Sequence, residues 1–137
     1  MSIYKHRNHE KFKLQYHLIF STKYRKKLLY PIIEDIKEYM KKAESVQNNW
    51  CIKYLEIDTN MPDHIHFLIE GTPTCRISEI VHSLKQISTY EVWRNHHDYM
   101  KKFYWSGKHN LWTRGYFCST VGDVSSEVLK NYIESQG

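Results

Sequence analysis

His64-Ile65-His66 is the triplet with the most evident capacity for chemistry. Side chains alternate across an extended strand, so His64 and His66 would leave one face, and Ile65, Phe67 and Ile69 the other. Two imidazoles at i and i+2 can share one metal ion. The same spacing also suits two surface or hydrogen-bonded histidines, and the triplet alone does not separate the two. A catalytic metal needs a third oxygen or nitrogen ligand and an open position for substrate. The end of the chain offers candidates. Tyr132 and Gln136 are four apart and share one helix face, whereas Glu134 falls on another. Tyr132 also shares that face with Val128 and Leu129, which is equally the pattern of a buried helix tyrosine. A zinc hydrolase built on the two histidines would have only Asp63 as an evident carboxylate, and Asp63 reads as a turn residue before the strand.

The elements that must position these groups follow from periodicity. Leu14 to Thr22 (LQYHLIFST) is rich in β-branched and aromatic residues and predicts a strand. Pro31 suits a first helical turn, and Ile32, Ile33, Ile36, Tyr39, Met40 and Ala43 recur at helical spacing up to Ser45. Trp50 to Asp58 and His64 to Glu70 predict a hairpin around Thr59 to Asp63. A long helix starts near Ser78 and runs past Trp93. His96 to Arg114 resists assignment, Tyr116 to Val121 predicts a fourth strand, and a last helix follows Ser125 or Ser126. The order β-α-β-β-α-β-α predicts an α+β chain with a ferredoxin-like (split β-α-β, RRM-like) sheet. That sheet has four antiparallel strands with helices on one face, plus a C-terminal helix. Residues 1–137 form a single domain in this reading, with 1–13 a basic N-terminal arm and 123–137 the C-terminal helix.

At 137 residues the chain has the size of one domain, and 41% hydrophobic with 26% charged residues is ordinary for a globular protein. No apolar run approaches the roughly 18 residues of a membrane span, which predicts no membrane partner. The first seven residues carry no apolar leader, and Cys51, Cys75 and Cys118 form neither a disulfide framework nor a CxxC pair. These features predict a reducing, cytoplasmic setting. Lys plus Arg number 20 against 15 acidic residues, and aromatics reach 15%, with 11 Tyr and 4 Trp. Cations attract phosphate and aromatic faces stack on unpaired bases. Two clusters are candidate DNA contacts. One is Lys23, Arg25, Lys26 and Lys27. The other is Lys101, Lys102, Lys108 and Arg114, close in sequence to Tyr104, Trp105 and Trp112. Either cluster also reads as a solvated face with scattered aromatic packing.

Four stretches taken together resemble the TnpA tyrosine transposases of small bacterial insertion sequences, single-strand transposases within the HUH nucleases. They are YHLIFSTKYRKKLL (Tyr16 to Leu29), MPDHIHFLIE (Met61 to Glu70), GYFCSTVG (Gly115 to Gly122) and EVLKNYIESQ (Glu127 to Gln136). They occur in the family's order and cover the chain from about Leu14 onward, so they are far more specific than any HxH. The resemblance implies that His64 and His66 bind a divalent metal, that Gln136 adds a side-chain amide ligand, and that Tyr132 is the nucleophile. Cys118 stands where an aliphatic residue is usual in the family, and strand alternation predicts a core role for it.

The implied chemistry is strand cleavage through a 5′-phosphotyrosine that frees a 3′-hydroxyl, followed by rejoining without ATP. Mg²⁺ is the expected cellular ion, with Mn²⁺ a good substitute. The implied partners are single-stranded DNA, DNA hairpins at the element's ends, and a second copy of the chain, with composite sites built in trans. The competing readings are a domesticated relative that processes chromosomal repeat hairpins and a non-catalytic nucleic-acid-binding module on the same fold.

Overall fold

A computed structural model describes residues 14–121. Residues 1–13 and 122–137, which include Tyr132, Gln136 and both predicted terminal segments, lie outside the described residues.

Four strands form one sheet: β1 (Leu14–Ser21), β2 (Trp50–Ile57), β3 (His64–Gly71) and β4 (Phe117–Thr120). Their order is β2-β3-β1-β4 and every neighbouring pair is antiparallel. The main helices are α1 (Ile33–Ser45), which follows β1, and α2 (Ile77–Asn95), which follows β3. This is the predicted split β-α-β arrangement, with the long β1–β2 and β3–β4 connections each skipping one strand. The four strands and the two main helices differ from the predicted ones only at their ends. Thr22 leaves β1 and pairs with Trp112 as an isolated bridge, and Tyr30–Ile32 is a 3₁₀ turn before α1 with Pro31 at its start.

Alternation explains the layering. Leu18 and Phe20 of β1, with Ile65, Phe67 and Ile69 of β3, point to one face and are essentially inaccessible. Against them pack Ile36, Met40 and Ala43 of α1, and Ile80, Leu84 and Val92 of α2, which recur one or two turns apart. Each fully buried Leu, Ile, Phe, Met or Val among them contributes about 1.5–3 kcal/mol. Cys118 pairs with Leu18 and joins this layer, as its alternation predicts. Polar bonds clasp the two helices above it: Lys42 pairs with the buried Glu91, His96 Nε2 meets Asp35 Oδ2 at 2.7 Å, and Asn95 Nδ2 donates to Tyr39 at 3.0 Å.

The segment from His96 to Arg114, left unassigned by periodicity, is ordered by aromatic side chains whose polar tips find partners. A short helix α3 (His97–Lys101) opens it. Beyond it, Tyr104 is buried and donates its hydroxyl to Lys23 O at 2.8 Å. The Trp112 indole donates to Ser88 Oγ at 2.9 Å, and the Trp93 indole to Asn110 O at 2.8 Å.

Candidate active site

The sheet face turned away from α1 and α2 carries the imidazoles. Register places Ser21 opposite His64, Ile19 opposite His66 and His17 opposite Leu68, with Phe117 and Ser119 continuing the row on β4. His64 is 1% exposed and His66 half-buried. Both Nε2 atoms are buried and have no hydrogen-bond partner among the described residues. Leaving one such atom unsatisfied costs about 1–3 kcal/mol, so two on one face is a pattern that asks for a ligand.

The His64 ring is fixed from behind. Its Nδ1 lies 2.8 Å from Asp63 Oδ1, and Asp63 Oδ2 accepts from Arg25 Nε at 3.1 Å. An ionised carboxylate can only accept, so Nδ1 directs a proton at Asp63 and Nε2 is the ring atom left facing away from it. Burial pushes the Asp63 carboxyl up, but the bonds from His64 and Arg25 outweigh it and hold the group below the ordinary carboxylate range. Burial pushes His66 below its usual value, partly opposed by Asp58 and Glu56, which favours the neutral imidazole there. Two buried, unpartnered imidazole nitrogens on one face, one ring oriented by a carboxylate, are a donor set that divalent metal ions take, so these residues fit the metal that the sequence implies.

His64 opens into a cleft of about 330 Å³ lined by Ile19, Ser21, Arg25, Thr113, Tyr116 and Phe117. Its walls come from three separate segments, and two devices hold them together. One is the turn after β1. Tyr24 and Arg25 both adopt left-handed backbone, with φ 62° and 58°, which is costly for residues with a Cβ. Thr22 N donates to Asp63 O at 2.9 Å, Lys23 N donates to Leu111 O at 2.8 Å, and the buried Thr22 hydroxyl donates to Lys26 O at 2.7 Å. The other device is Lys85 of α2. Its ammonium donates to the carbonyls of Thr113, Arg114 and Gly115 at 2.8, 3.1 and 3.0 Å, and also lies 5.2 and 5.8 Å from the Phe20 and Tyr116 ring centres.

The family model described as "Transposase IS200 like" matches residues 10–136. The chain belongs to the IS200-like transposase family. The chain is 32% identical over 125 residues to the ISDra2 transposase TnpA of Deinococcus radiodurans, covering 91% of this chain and 85% of that one. It is 27% identical to the transposase for insertion sequence element IS200 of Salmonella typhimurium, covering 93% and 80%. A crystal structure of a transposase from D. radiodurans superposes with a TM-score of 0.74 at 30% identity, covering 90% of each chain. A REP-associated tyrosine transposase bound to a REP hairpin shares the fold, with a TM-score of 0.58 at 13% identity over 89% of this chain and 61% of that one. Membership in this transposase family implies a DNA-cleaving enzyme, and no described helix is long and apolar enough to cross a membrane.

The predicted site residues of this IS200-like transposase divide three ways. His64 and His66 share one face, as alternation requires. Tyr132 and Gln136 lie outside the described residues. The basic clusters do not stay together. Arg25 is committed to Asp63 and lines the imidazole cleft. Lys26 turns to Trp105, with its ammonium 5.5 Å from the ring centre, and Lys23 lies 5.5 Å from that of Tyr24. Lys27, Lys101, Lys102, Lys108 and Arg114 are exposed. Of the three aromatic residues near the second cluster, Tyr104 and Trp112 are buried structural groups, and only Trp105 is open to solvent.

Three contributors escaped the sequence reading. Asp63 reads from the sequence as a turn residue, although its place beside an HxH is a usable signal for a histidine-orienting carboxylate. His17 shares a strand face with Ile19 and Ser21, which alternation could have shown, but only the register puts it diagonal to His66. Nothing in the sequence marks Lys85 as the brace of residues 113–115.

Proposed function

We propose that this transposase cleaves and rejoins single-stranded DNA beside hairpins at the ends of an insertion sequence, using Tyr132 as nucleophile. The observation that carries the reading is the pair of buried, unpartnered Nε2 atoms on one sheet face, with His64 oriented by Asp63 and Arg25. His64 and His66, joined by Gln136, would hold a divalent ion, Mg²⁺ or Mn²⁺. That ion, when bound, neutralises charge on the scissile phosphate. The chain's own groups do the rest. The cleft receives the phosphate, and Arg25, 41% exposed at its side chain, adds a cation to its wall. A phenol has a pKa of about 10, so the Tyr132 oxygen must lose its proton as it attacks phosphorus. The new O–P bond forms as the P–O3′ bond breaks, and the departing 3′ oxygen takes up a proton. The product is a 5′-phosphotyrosine and a free 3′-hydroxyl, and attack on that linkage by a 3′-hydroxyl reverses the chemistry and rejoins DNA.

Support for hairpin binding comes from the relative bound to a REP hairpin and from the net charge of +5. The site of action would be cytoplasmic DNA. The decisive test is a denaturing gel after incubation with single-stranded substrate and Mn²⁺. The unaltered chain should form a covalent adduct, Tyr132→Phe should keep hairpin binding and lose the adduct, and an adduct mapped to another tyrosine would refute the assignment. We further propose a homodimer with sites composed in trans. Mixing Tyr132→Phe with His64→Ala subunits should restore one working site per dimer, and absence of recovery in purified heterodimers would place each site within one chain.

A further inference from the structure

The turn after β1 faces two clefts. Arg25 enters the imidazole cleft, whereas Tyr24 and Lys26, its immediate neighbours, line a second cleft of about 250 Å³ with Trp105, Phe103 and Asn110. We infer that this second cleft is a subsite for one unpaired nucleobase of the DNA strand, stacked on Trp105 and Tyr24 with its phosphate on Lys26. The inference deepens the transposase reading above and rests on it for the identity of the polymer.

Exposure is the first ground. Trp105 is 75% exposed and Tyr24 68% exposed, although the chain buries its other tryptophans. An indole kept in water beside a phenol is a stacking platform, and stacking on such rings tolerates any base. Rigidity is the second. Tyr104, adjacent to Trp105, is buried and donates its hydroxyl to Lys23 O, which ties the loop carrying Trp105 to the turn carrying Tyr24. The left-handed backbone at Tyr24 and Arg25 directs these consecutive side chains to different clefts. A strand with one phosphate at the imidazoles would therefore meet Trp105 and Tyr24 at a neighbouring nucleotide.

Charge is the third ground and selects the occupant. Lys26 lies over Trp105, Lys101 lines an adjoining cleft that shares Trp105, and among the described residues no acidic side chain lines either cleft. A protein partner would face cations with no anion to match. An unpaired nucleotide brings a π-face for the rings and a negative phosphate for the lysines, and duplex DNA offers no free base face.

The experiment uses the full chain carrying Tyr132→Phe, so that binding is measured without cleavage. The probes are a dodecamer of dT, a dodecamer of abasic nucleotides with the same phosphates, and a blunt-ended hairpin, each titrated by fluorescence anisotropy. Adding Trp105→Ala should weaken dT binding roughly 5- to 150-fold, the loss of one stacked base. It should change abasic and hairpin binding less than twofold, and Trp105→Phe should recover most of the loss. Equal losses on the dT and abasic probes, or an unchanged dT affinity, would overturn the subsite. An unaltered chain that forms no covalent adduct would refute the transposase chemistry while leaving this binding comparison to stand on its own.

Discussion

Asp63→Asn is the sharpest perturbation of the candidate metal centre, because it alters no expected ligand. The carboxylate takes His64 Nδ1 at 2.8 Å and Arg25 Nε at 3.1 Å, and its side chain is 7% exposed. The amide keeps the shape and one acceptor oxygen. It loses the charge that sets the His64 tautomer, and its NH₂ group faces one of the two former donors. Removing a carboxylate behind a metal-binding histidine typically lowers metal affinity about 10- to 100-fold, or about 1.4–2.7 kcal/mol at 1.36 kcal/mol per tenfold. Folding stability should fall by about 1–2 kcal/mol, the low end for bonds to charged groups, because Arg25 is partly solvated. Calorimetric titration with Mn²⁺ at neutral pH reads the first quantity and thermal melting the second. Acid supplies an internal check. The Asp63 carboxyl is held low in the folded state, so its contribution is complete above the ordinary carboxylate range and is lost as pH falls through the lowered value. The melting difference between the two proteins should therefore shrink on strong acidification. Mn²⁺ affinity within twofold of the unaltered chain would refute the argument that Asp63 prepares His64 for metal.

Two further outcomes follow from the scaffold. The Lys42 bond holds the buried Glu91 carboxyl below its usual value, so stability linked to it is present above the ordinary carboxylate range and disappears as pH falls below it. Glu91→Gln should flatten that acid limb in denaturant titrations, and an unchanged limb would show that Glu91 titrates alike in both states. Lys85→Met keeps an unbranched side chain but removes the donor to three carbonyls and the ammonium beside the Phe20 and Tyr116 rings. It should cost about 1.5–3 kcal/mol and should increase proteolytic cutting near Gly115, whereas unchanged protection there would show that the loop holds itself.

Local rules recovered the parts of this protein that are local. The strand faces of HIHFLIE and LQYHLIF follow from alternation, and α1 and α2 follow from apolar residues one or two turns apart. These were enough to put His64 and His66 on the open face. What escaped depends on contacts between distant segments. Arg25 reaches Asp63 across 38 positions and Lys85 reaches Thr113 across 28, and neither pair leaves a periodic trace. The segment from His96 to Arg114 failed for a related reason. Its buried residues Met100, Tyr104, Leu111 and Trp112 follow neither a helical nor a strand period, because each is placed by its own hydrogen bond or packing partner.

The turn after β1 shows why chemistry and strain coincide here. Two consecutive left-handed residues with side chains cost about 1–2 kcal/mol each, and an extended continuation of β1 would avoid that. Such a continuation would keep the bond from Thr22 N to Asp63 O, which is in register with the β1–β3 ladder, but would carry Arg25 away from the Asp63 carboxylate. It would also break the bond from Tyr104 to Lys23 O that fixes the loop bearing Trp105. The strained conformation is therefore held by bonds from both flanking segments, β3 through Asp63 and the α3–β4 connection through Tyr104 and Leu111. Those are the segments that supply the imidazole and the exposed indole. A single turn, held by Asp63 on one side and by Tyr104 on the other, thus sets the spacing between the two clefts.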